Sequence, residues 1–310
     1  MQDVFADRLL SDVSAKGSPI CVGIDPILES FPDELRPDDL NDATACVDAI
    51  FSFTTRVLKI VAPHAPVVKF QSAYFEKYLW EGVEAYYSLI AEAKELGLLV
   101  IGDVKRGDIG STATAYAAAH LGEPPRLELD EMDGVDVVTP DAVTVNPMLG
   151  LDTVQPFLDV MHEHGKGIFV LVRTSNPGSA LMQDVQLADG RTWSEALADH
   201  LRPLSEVGVG KLGFSGLGAV VGATQTHTMQ SLRKRLPRSI FLLPGYGTQG
   251  ATADMTRAAF VDGRGAIVSA SRSILYAHAD KKYASIANDW EKCVERAVLD
   301  MKLELHPFVG

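Results

Sequence analysis

Residues 98–113 read LLVIGDVKRGDIGSTA, in which an apolar run is followed at once by charged side chains. The apolar part, residues 98–101, predicts a strand that is buried on both faces. The four charged residues fall within six positions: Asp103, Lys105, Arg106 and Asp108. A strand that surfaces into a solvated turn would explain two such charges. Four of them at the end of a buried strand are costly unless they pair or meet a ligand, so the stretch predicts a functional site.

The alternation of side chains along this strand predicts how its charges divide. Successive side chains of a strand point to opposite faces, so Asp103 and Lys105 are expected to point the same way, with Val104 on the other face. Gly107 ends the extended run and leaves Asp108 in the loop beyond it. Asp103 and Lys105 are therefore expected on one face of the strand, with Asp108 beyond its end.

The composition of the whole chain limits the class of protein. The 310 residues are 46% hydrophobic and 22% charged, which is typical of a globular chain long enough to bury a core without disulfides. Three widely spaced cysteines with no CxxC pair argue against a structural zinc site and fit a reducing, cytoplasmic setting. The acidic N-terminal stretch does not resemble a secretory signal, and no apolar run approaches the about 18 residues of a membrane span. A net charge of −13 disfavours nucleic acid and anionic membranes as partners.

The rest of the chain alternates between short apolar runs and amphipathic helical patterns. A leading helix is expected in residues 1–18, and eight apolar runs follow: PICVGIDP, PVVKFQ, the opening stretch, AVTVNP, GIFVLVRTS, GLGAVVGAT, SIFLLPG and GAIVSAS. Eight strand–helix units in about 290 residues predict an α/β fold, a closed (β/α)8 TIM barrel with a parallel sheet. A doubly wound open sheet is the alternative. The acidic, proline-rich segment 122–139 is interpreted as an irregular insertion, and no shift in composition marks a second domain, so residues 1–310 are expected to form a single barrel domain.

Several boundaries are predicted from the same patterns. The second strand is expected to end in Lys69, and the helix over residues 41–62 to begin at a capping Asn41. Further helices are expected over 73–96, 111–121, 151–164, 193–207, 225–236, 250–262 and 273–300, with a loop over 176–192.

Polar residues follow six of the eight predicted strands. In a barrel the active groups lie at the carboxyl ends of the strands. The residues at these ends are Asp25, Lys69, Asp103 with Lys105, the run from Arg173 to Asn176, the run from Pro244 to Gly250, and Ser269 to Arg272. Any one of them would serve as a turn cap or a solvated side chain, but six on one rim predict a shared pocket.

Residues 245–250, GYGTQG, match the pattern GxGxxG. A dinucleotide site needs this pattern in the first βαβ unit, with an acidic residue about 20 positions later, and neither condition holds here. Glycines after the seventh strand fit the phosphate site that barrels often build there, with Arg272 binding the phosphate as a fork and Gln249 closing over it.

No cluster has the spacing of metal ligands, since His162 and His164 diverge on a helix and are expected at the surface. No metal and no cofactor are therefore expected.

These residues resemble the orotidine 5′-phosphate decarboxylase family. Residues 103–109, DVKRGDI, match its D-x-K-x-x-D-I signature, and the resemblance extends from Asp25 to Arg272. The form RGDIGSTA and the segment 122–139 resemble the longer bacterial branch, whereas Asn146-Pro147 departs from the short-chain pattern. The resemblance implies a catalytic set of Lys105, Asp103 and Asp108. It implies substrate contacts by Asp25, Lys69, Ile109, Thr112, Ser175, Pro244, Gln249 and Arg272.

The resemblance also implies the reaction. Orotidine 5′-phosphate would lose CO2 to give uridine 5′-phosphate in de novo pyrimidine biosynthesis, without a cofactor, as Lys105 stabilises and protonates a carbanion at C6. It implies a homodimer in which Asp108, Ile109 and Thr112 enter the active site of the partner. Because D-x-K-x-x-D is shared with magnesium-dependent sugar-phosphate decarboxylases and aldolases, that chemistry is one alternative, and a non-enzymatic nucleotide-binding barrel is another.

Overall fold

The computed structural model describes residues 4–123, 138–224, 226–247 and 250–309. Eight parallel strands close into a barrel in chain order, with β8 paired to β1. The strands are β1 Ile20–Ile24, β2 Val67–Gln71, β3 Leu99–Arg106, β4 Ala142–Val145, β5 Gly167–Arg173, β6 Ser215–Val221, β7 Ser239–Leu243 and β8 Ala266–Ala270. The predicted (β/α)8 barrel is confirmed, and the doubly wound alternative is wrong.

Helices alternate with the strands along the described chain. They are α1 Phe5–Lys16, α2 Ala43–Val61, α3 Ala73–Glu76, α4 Leu79–Glu95, α5 Gly110–His120, α6 Gln155–His164, α7 Ala180–Gln183, α8 Trp193–Ser205, α9 Thr226–Arg235, α10 Ala253–Thr256, α11 Arg272–Leu275 and α12 Trp290–Leu305. None of these helices is both long and apolar enough to cross a membrane.

The leading helix α1 closes the amino-terminal end of the barrel. Phe5 packs edge-on against Phe169 of β5, with ring centroids 6.0 Å apart. A Cβ at Gly167 would lie 2.3 Å from the Phe5 ring, so only glycine fits there. The buried carboxylate of Asp7 accepts hydrogen bonds from the backbone N–H groups of Lys211 and Leu212, each at 2.8 Å. Because this end is plugged, a ligand must enter at the carboxyl ends of the strands.

The structure corrects several predicted boundaries. Strand β2 continues to Gln71, so Lys69 lies inside the strand rather than at its end. Asp42, not Asn41, caps α2, because its carboxylate accepts a hydrogen bond from the Ala45 N–H. The amide of Asn41 instead donates to the Asp39 side chain at 3.0 Å.

Three expected helices are interrupted, and one expected loop contains a helix. The pattern over 73–96 divides into α3 and α4, with Leu79 in the left-handed region at a φ of 54°. The patterns over 250–262 and 273–300 also divide into shorter pieces, and α7 lies inside the expected loop 176–192. Apolar periodicity does not detect such turns, because the residues on either side of a turn still face the core.

Most of the expected insertion, residues 124–137, lies outside the described residues. At its base the hydroxyl of Thr139 donates to the Gly122 carbonyl at 2.8 Å. The two ends of the segment therefore lie side by side between α5 and β4.

Candidate active site

A cavity of about 530 Å³ opens at the carboxyl ends of the strands. Five of the residues predicted for the site line it: Lys69, Asp103, Lys105, Ser175 and Pro244. They come from β2, β3 and the segments after β5 and β7, which are distant in sequence. The predicted rim pocket is therefore present.

A second cavity, of about 660 Å³, lies at the amino-terminal side of β7 and β8. Arg238 and Arg264, which precede these two strands, line it. None of the described residues that were predicted for the site lines it. The cavity at the carboxyl ends is therefore the candidate active site.

The carboxylate of Asp103 lies at the centre of four hydrogen bonds. Its Oδ1 accepts from Lys105 Nζ at 2.6 Å and from Thr144 Oγ1 at 2.8 Å. Its Oδ2 accepts from Lys69 Nζ at 2.8 Å and from Gln71 Nε2 at 3.1 Å. The side chain of Lys105 is 44% exposed, whereas that of Asp103 is 8% exposed. Lys105 therefore presents its ammonium group to the cavity while the carboxylate beneath it stays fixed.

Lys69, Asp103 and Lys105 form a charge array. Within it, Asp103 and Lys69 stabilise each other in the ionised state. Burial raises the pKa of Asp103, but Lys69 and Lys105 outweigh burial and hold that pKa below its usual range. Burial lowers the pKa of Lys69, but Asp103 and Asp25 outweigh burial and raise it above its usual range. The site is therefore a buried array of alternating charge, stable only because each charge has an opposite neighbour.

The side chains of Asp103 and Lys105 lie on the same side, as predicted, and are hydrogen-bonded to each other, but a bulge replaces the regular alternation on which the prediction rested. Gly102 pairs with Val143 of β4, and the next pair joins Arg106 to Val145, so the register shifts between them. Lys105 has a φ of 45°, in the left-handed region. The bulge turns the Lys105 side chain back toward Asp103.

Asp25 follows β1 and carries a buried acceptor oxygen, but it is not among the residues that line the cavity. Its Oδ1 is buried and finds no hydrogen-bond partner within the ranges that the structure describes. The hydroxyl of Tyr276 donates to the Asp25 carbonyl at 2.7 Å and accepts from the Ile27 N–H at 2.6 Å, which fixes this turn. A buried carboxylate oxygen without a hydrogen-bond donor is satisfied when a hydroxyl group of a ligand donates to it.

The segment after β5 is held over the cavity by Arg173. This buried guanidinium makes two hydrogen bonds to the Asp184 carboxylate, at 2.8 and 2.9 Å, and one to the Ser179 hydroxyl at 2.5 Å. The Thr174 N–H donates to the Gln183 side chain at 2.7 Å. These contacts place Ser175 at the cavity wall, so Arg173 organises the loop rather than contacting a ligand.

The predicted phosphate side is described in part. Gly247 adopts a φ of 72°, and a Cβ there would lie 3.2 Å from the Ser273 hydroxyl, so the loop after β7 approaches α11. Arg272 is the first residue of α11. Gln249 lies outside the described residues.

Asp108, Ile109 and Thr112 lie at the beginning of α5, and none of them is part of the described lining of the cavity. The Asp108 carboxylate accepts a hydrogen bond from the Ile109 N–H at 2.8 Å, and the Ile109 side chain is 62% exposed. Arg106 pairs with Glu76 at 2.5 Å and holds the start of this loop. Asp108, Ile109 and Thr112 therefore lie outside the described lining of their own cavity.

Three residues near the array were missed from the sequence. Gln71 lies two positions after Lys69 on the same strand, so side-chain alternation would have found it. Thr144 lies in the apolar run AVTVNP and gave no signal of its own. Tyr74 falls at the start of the helix expected over 73–96 and was not predicted for the site, yet Asp25, Arg272 and Lys69 all act on it: burial and Asp25 raise the pKa of its hydroxyl, and the two cations oppose them. The charges of the site therefore act on the Tyr74 hydroxyl group.

The fold and the site together define a (β/α)8-barrel enzyme with a buried lysine–carboxylate array at the carboxyl ends of its strands. Residues 18–286 match the model of the orotidine 5′-phosphate decarboxylase / HUMPS family. The chain belongs to this family.

Full-length relatives support the assignment. The orotidine 5′-phosphate decarboxylase of Rhodopirellula baltica is 40% identical over 307 residues, which cover 97% of this chain and 98% of the relative. That of Clostridium novyi is 36% identical over 302 residues, with 97% and 98% covered. The crystal structure of a putative orotidine 5′-phosphate decarboxylase from Streptomyces avermitilis superimposes with a TM-score of 0.76 at 31% identity, covering 98% of this chain and 96% of that one. The resemblance found in the sequence is thus confirmed.

Proposed function

We propose that the chain decarboxylates orotidine 5′-phosphate to uridine 5′-phosphate and CO2, a step of pyrimidine biosynthesis. The observation that carries this proposal is the Lys105 ammonium group in the cavity, 2.6 Å from the ionised carboxylate of Asp103. Family membership and relatives of nearly equal length support the same reaction.

Lys105 supplies both the charge and the proton that the reaction needs. When the bond from C6 to the carboxyl group breaks, its electron pair stays on C6 in the plane of the ring, where the ring offers no electron sink. The Lys105 ammonium group stabilises this carbanion and then transfers a proton from Nζ to C6. Lys105 afterwards regains a proton from solvent.

A single lysine does not account for the whole reduction of the activation barrier. A charge pair at about 4 Å is worth about 4 kcal/mol at an effective dielectric constant of 20, whereas difficult reactions need up to about 20 kcal/mol. Asp103 lowers the barrier further, because its ionised carboxylate lies beside the substrate carboxylate and raises the energy of the bound ground state. The loss of CO2 relieves this repulsion.

The remaining predicted residues bind the parts of the substrate that do not react. Asp25 and Lys69 hold the ribose hydroxyl groups, and the buried Oδ1 of Asp25 is the acceptor that a hydroxyl would satisfy. Ser175 contacts the pyrimidine. Arg272, with Gln249 and the loop that begins at Pro244, binds the phosphate. Binding energy from these remote groups offsets the repulsion at the carboxylate, and closure of the loop excludes water.

We propose further that the enzyme is a homodimer with shared active sites. Asp108, Ile109 and Thr112 serve the cavity of the partner, which fits the 62% exposure of Ile109 and its place outside the described lining of its own cavity. Trp80, at the start of α4, is 74% exposed, and a second copy would cover such apolar surface.

Residues 1–310 are proposed to act as one catalytic domain in the cytoplasm. The three cysteines are buried and unpaired, which fits a reducing compartment.

The test is to mix the pure protein with orotidine 5′-phosphate in EDTA and follow the loss of the orotate absorbance. We expect turnover that EDTA does not reduce and that added Mg²⁺ does not increase. Turnover that EDTA abolishes would show that a divalent metal takes part, as in the magnesium-dependent sugar-phosphate enzymes that share D-x-K-x-x-D. An unchanged spectrum at micromolar enzyme would contradict the proposal.

A further inference from the structure

Thr144 occupies a distinctive place beneath the charge array. It is a buried residue of β4 that also lines the cavity. Its hydroxyl accepts a hydrogen bond from the Lys105 N–H at 2.9 Å and donates one to Asp103 Oδ1 at 2.8 Å. The same Oδ1 accepts from Lys105 Nζ. One hydroxyl group therefore joins the backbone of the reactive lysine to the carboxylate that orients its ammonium group.

The bulge in β3 explains why this contact is needed. Between the paired positions Gly102–Val143 and Arg106–Val145, β3 holds residues 103–105 and β4 holds Thr144 alone. Residues in such a bulge lose their regular ladder partners, and a buried N–H without a partner is costly. The Thr144 hydroxyl supplies the partner of the Lys105 N–H. It also stabilises the backbone of Lys105 in a left-handed conformation, with a φ of 45°, which residues other than glycine rarely adopt.

The direction of the hydrogen bonds is fixed by chemistry. An ionised carboxylate only accepts and a backbone N–H only donates, so the Thr144 hydroxyl must accept from Lys105 and donate to Asp103. Bonds arranged in such a chain polarise one another. A valine at position 144 would keep the shape of the side chain and lose both bonds.

We propose that Thr144 is a positioning residue for the decarboxylation, which sets the place of the Lys105 ammonium group through the backbone of Lys105 and through Asp103. This inference rests on the proposed function. Thr144 acts on the step in which Lys105 stabilises and protonates C6, so its loss should affect turnover rather than binding of the nucleotide.

The experiment compares Thr144→Val with Thr144→Ser, which keeps the hydroxyl. We expect kcat of the valine variant to fall about a hundredfold, as for a small misplacement of a reacting group, while KM and the Kd of uridine 5′-phosphate change less than about threefold. The serine variant should retain kcat within about threefold of wild type. Thr54→Val is the matched control, because Thr54 is buried in α2 and its hydroxyl has no partner among the described residues. Its kcat should be unchanged.

A second readout is independent of activity. Amide hydrogen exchange at Lys105 should be faster in Thr144→Val than in wild type and in Thr144→Ser, because the valine leaves this N–H without its acceptor. If the valine variant does not fold, Thr144→Ala against Thr144→Ser makes the same comparison, since neither adds volume.

The outcomes separate the two proposals. A wild-type protein without turnover contradicts the proposed function, and exchange at Lys105 then still tests the role of Thr144. An active wild type with an equally active Thr144→Val variant overturns the positioning role alone. Unchanged exchange at Lys105, or a fall in kcat matched by the same loss of nucleotide affinity, overturns it as well.

Discussion

Lys69 Nζ lies 2.8 Å from Asp103 Oδ2, and the two side chains are only 9% and 8% exposed. Such a pair is stable while both members are present, because each offsets the cost of burying the other. The pair ties β2 to β3 beneath Lys105. Its loss should therefore be visible in the stability of the barrel as well as in its activity.

Lys69→Met should lower the free energy of unfolding by about 3–5 kcal/mol, because it removes one of the two lysines that offset the buried carboxylate. Urea denaturation at pH 7 measures this change. Lys59→Met is the control, since the side chain of Lys59 is 61% exposed and lies 3.8 Å from Glu92. That surface pair should contribute less than about 1 kcal/mol. Equal effects of the two substitutions would contradict the buried pairing.

Lys105→Ala should lower kcat for orotidine 5′-phosphate by at least about a thousandfold, because it removes both the charge and the proton donor at C6. Binding of uridine 5′-phosphate should survive, with Kd within about tenfold of wild type, since the remote contacts remain. Steady-state kinetics and calorimetry give the two values. A variant with near-native kcat would exclude Lys105 as the acid.

Arg272→Ala should raise KM by about 10- to 100-fold and change kcat less, because a charge-assisted hydrogen bond to phosphate is worth about 1.5–3 kcal/mol. The phosphate-free nucleoside orotidine should be turned over equally by the variant and the wild type. Arg257→Ala, at an exposed arginine that pairs with Asp254, is the control. An unchanged KM for Arg272→Ala would show that Arg272 does not bind the phosphate group.

A heterodimer of Lys105→Ala and Asp108→Ala subunits, isolated with two affinity tags, should recover about half of the wild-type activity. If Asp108 serves the partner, one of the two sites in this dimer contains both wild-type residues. The control heterodimer joins Lys105→Ala to Asp103→Asn. These two residues belong to one cavity, so neither of its sites is intact and it should be inactive. Absence of recovery in the first pair would place Asp108 in its own subunit's site.

Below pH 6.5 the wild type should lose stability relative to His120→Gln. Burial, with Arg106 adding to it, lowers the pKa of His120 to about 4, whereas an unfolded histidine has a pKa of about 6.5. As the pH falls through this window, the unfolded chain binds a proton that the folded chain does not, so unfolding is favoured by up to about 3 kcal/mol. Urea denaturation at pH 7.5, 6 and 5 measures the difference. His162→Gln, at an exposed histidine, is the control variant.

The part of the site that could be predicted from the sequence consists of residues that are close together in the chain. Asp103 and Lys105 were identified because charges after a buried apolar run are costly, and such a run is recognised from residues that are close in the chain. The count of eight strands was also available from periodicity, since each strand must bury its own apolar side chains. The helix break near Leu79 and the cap at Asp42 could not be predicted in this way, because a turn or a cap depends on the backbone conformation of one or two residues rather than on the hydrophobic pattern.

The sequence by itself determined the barrel, the order of its strands and the charged residues at their carboxyl ends. Only the tertiary structure decided how those charges meet. Lys69 reaches Asp103 from a neighbouring strand, Thr144 reaches it from across a bulge, and Arg173 turns away to hold a loop. The physical reason is that closing the sheet fixes the register between strands, and register sets which side chains are within hydrogen-bond distance.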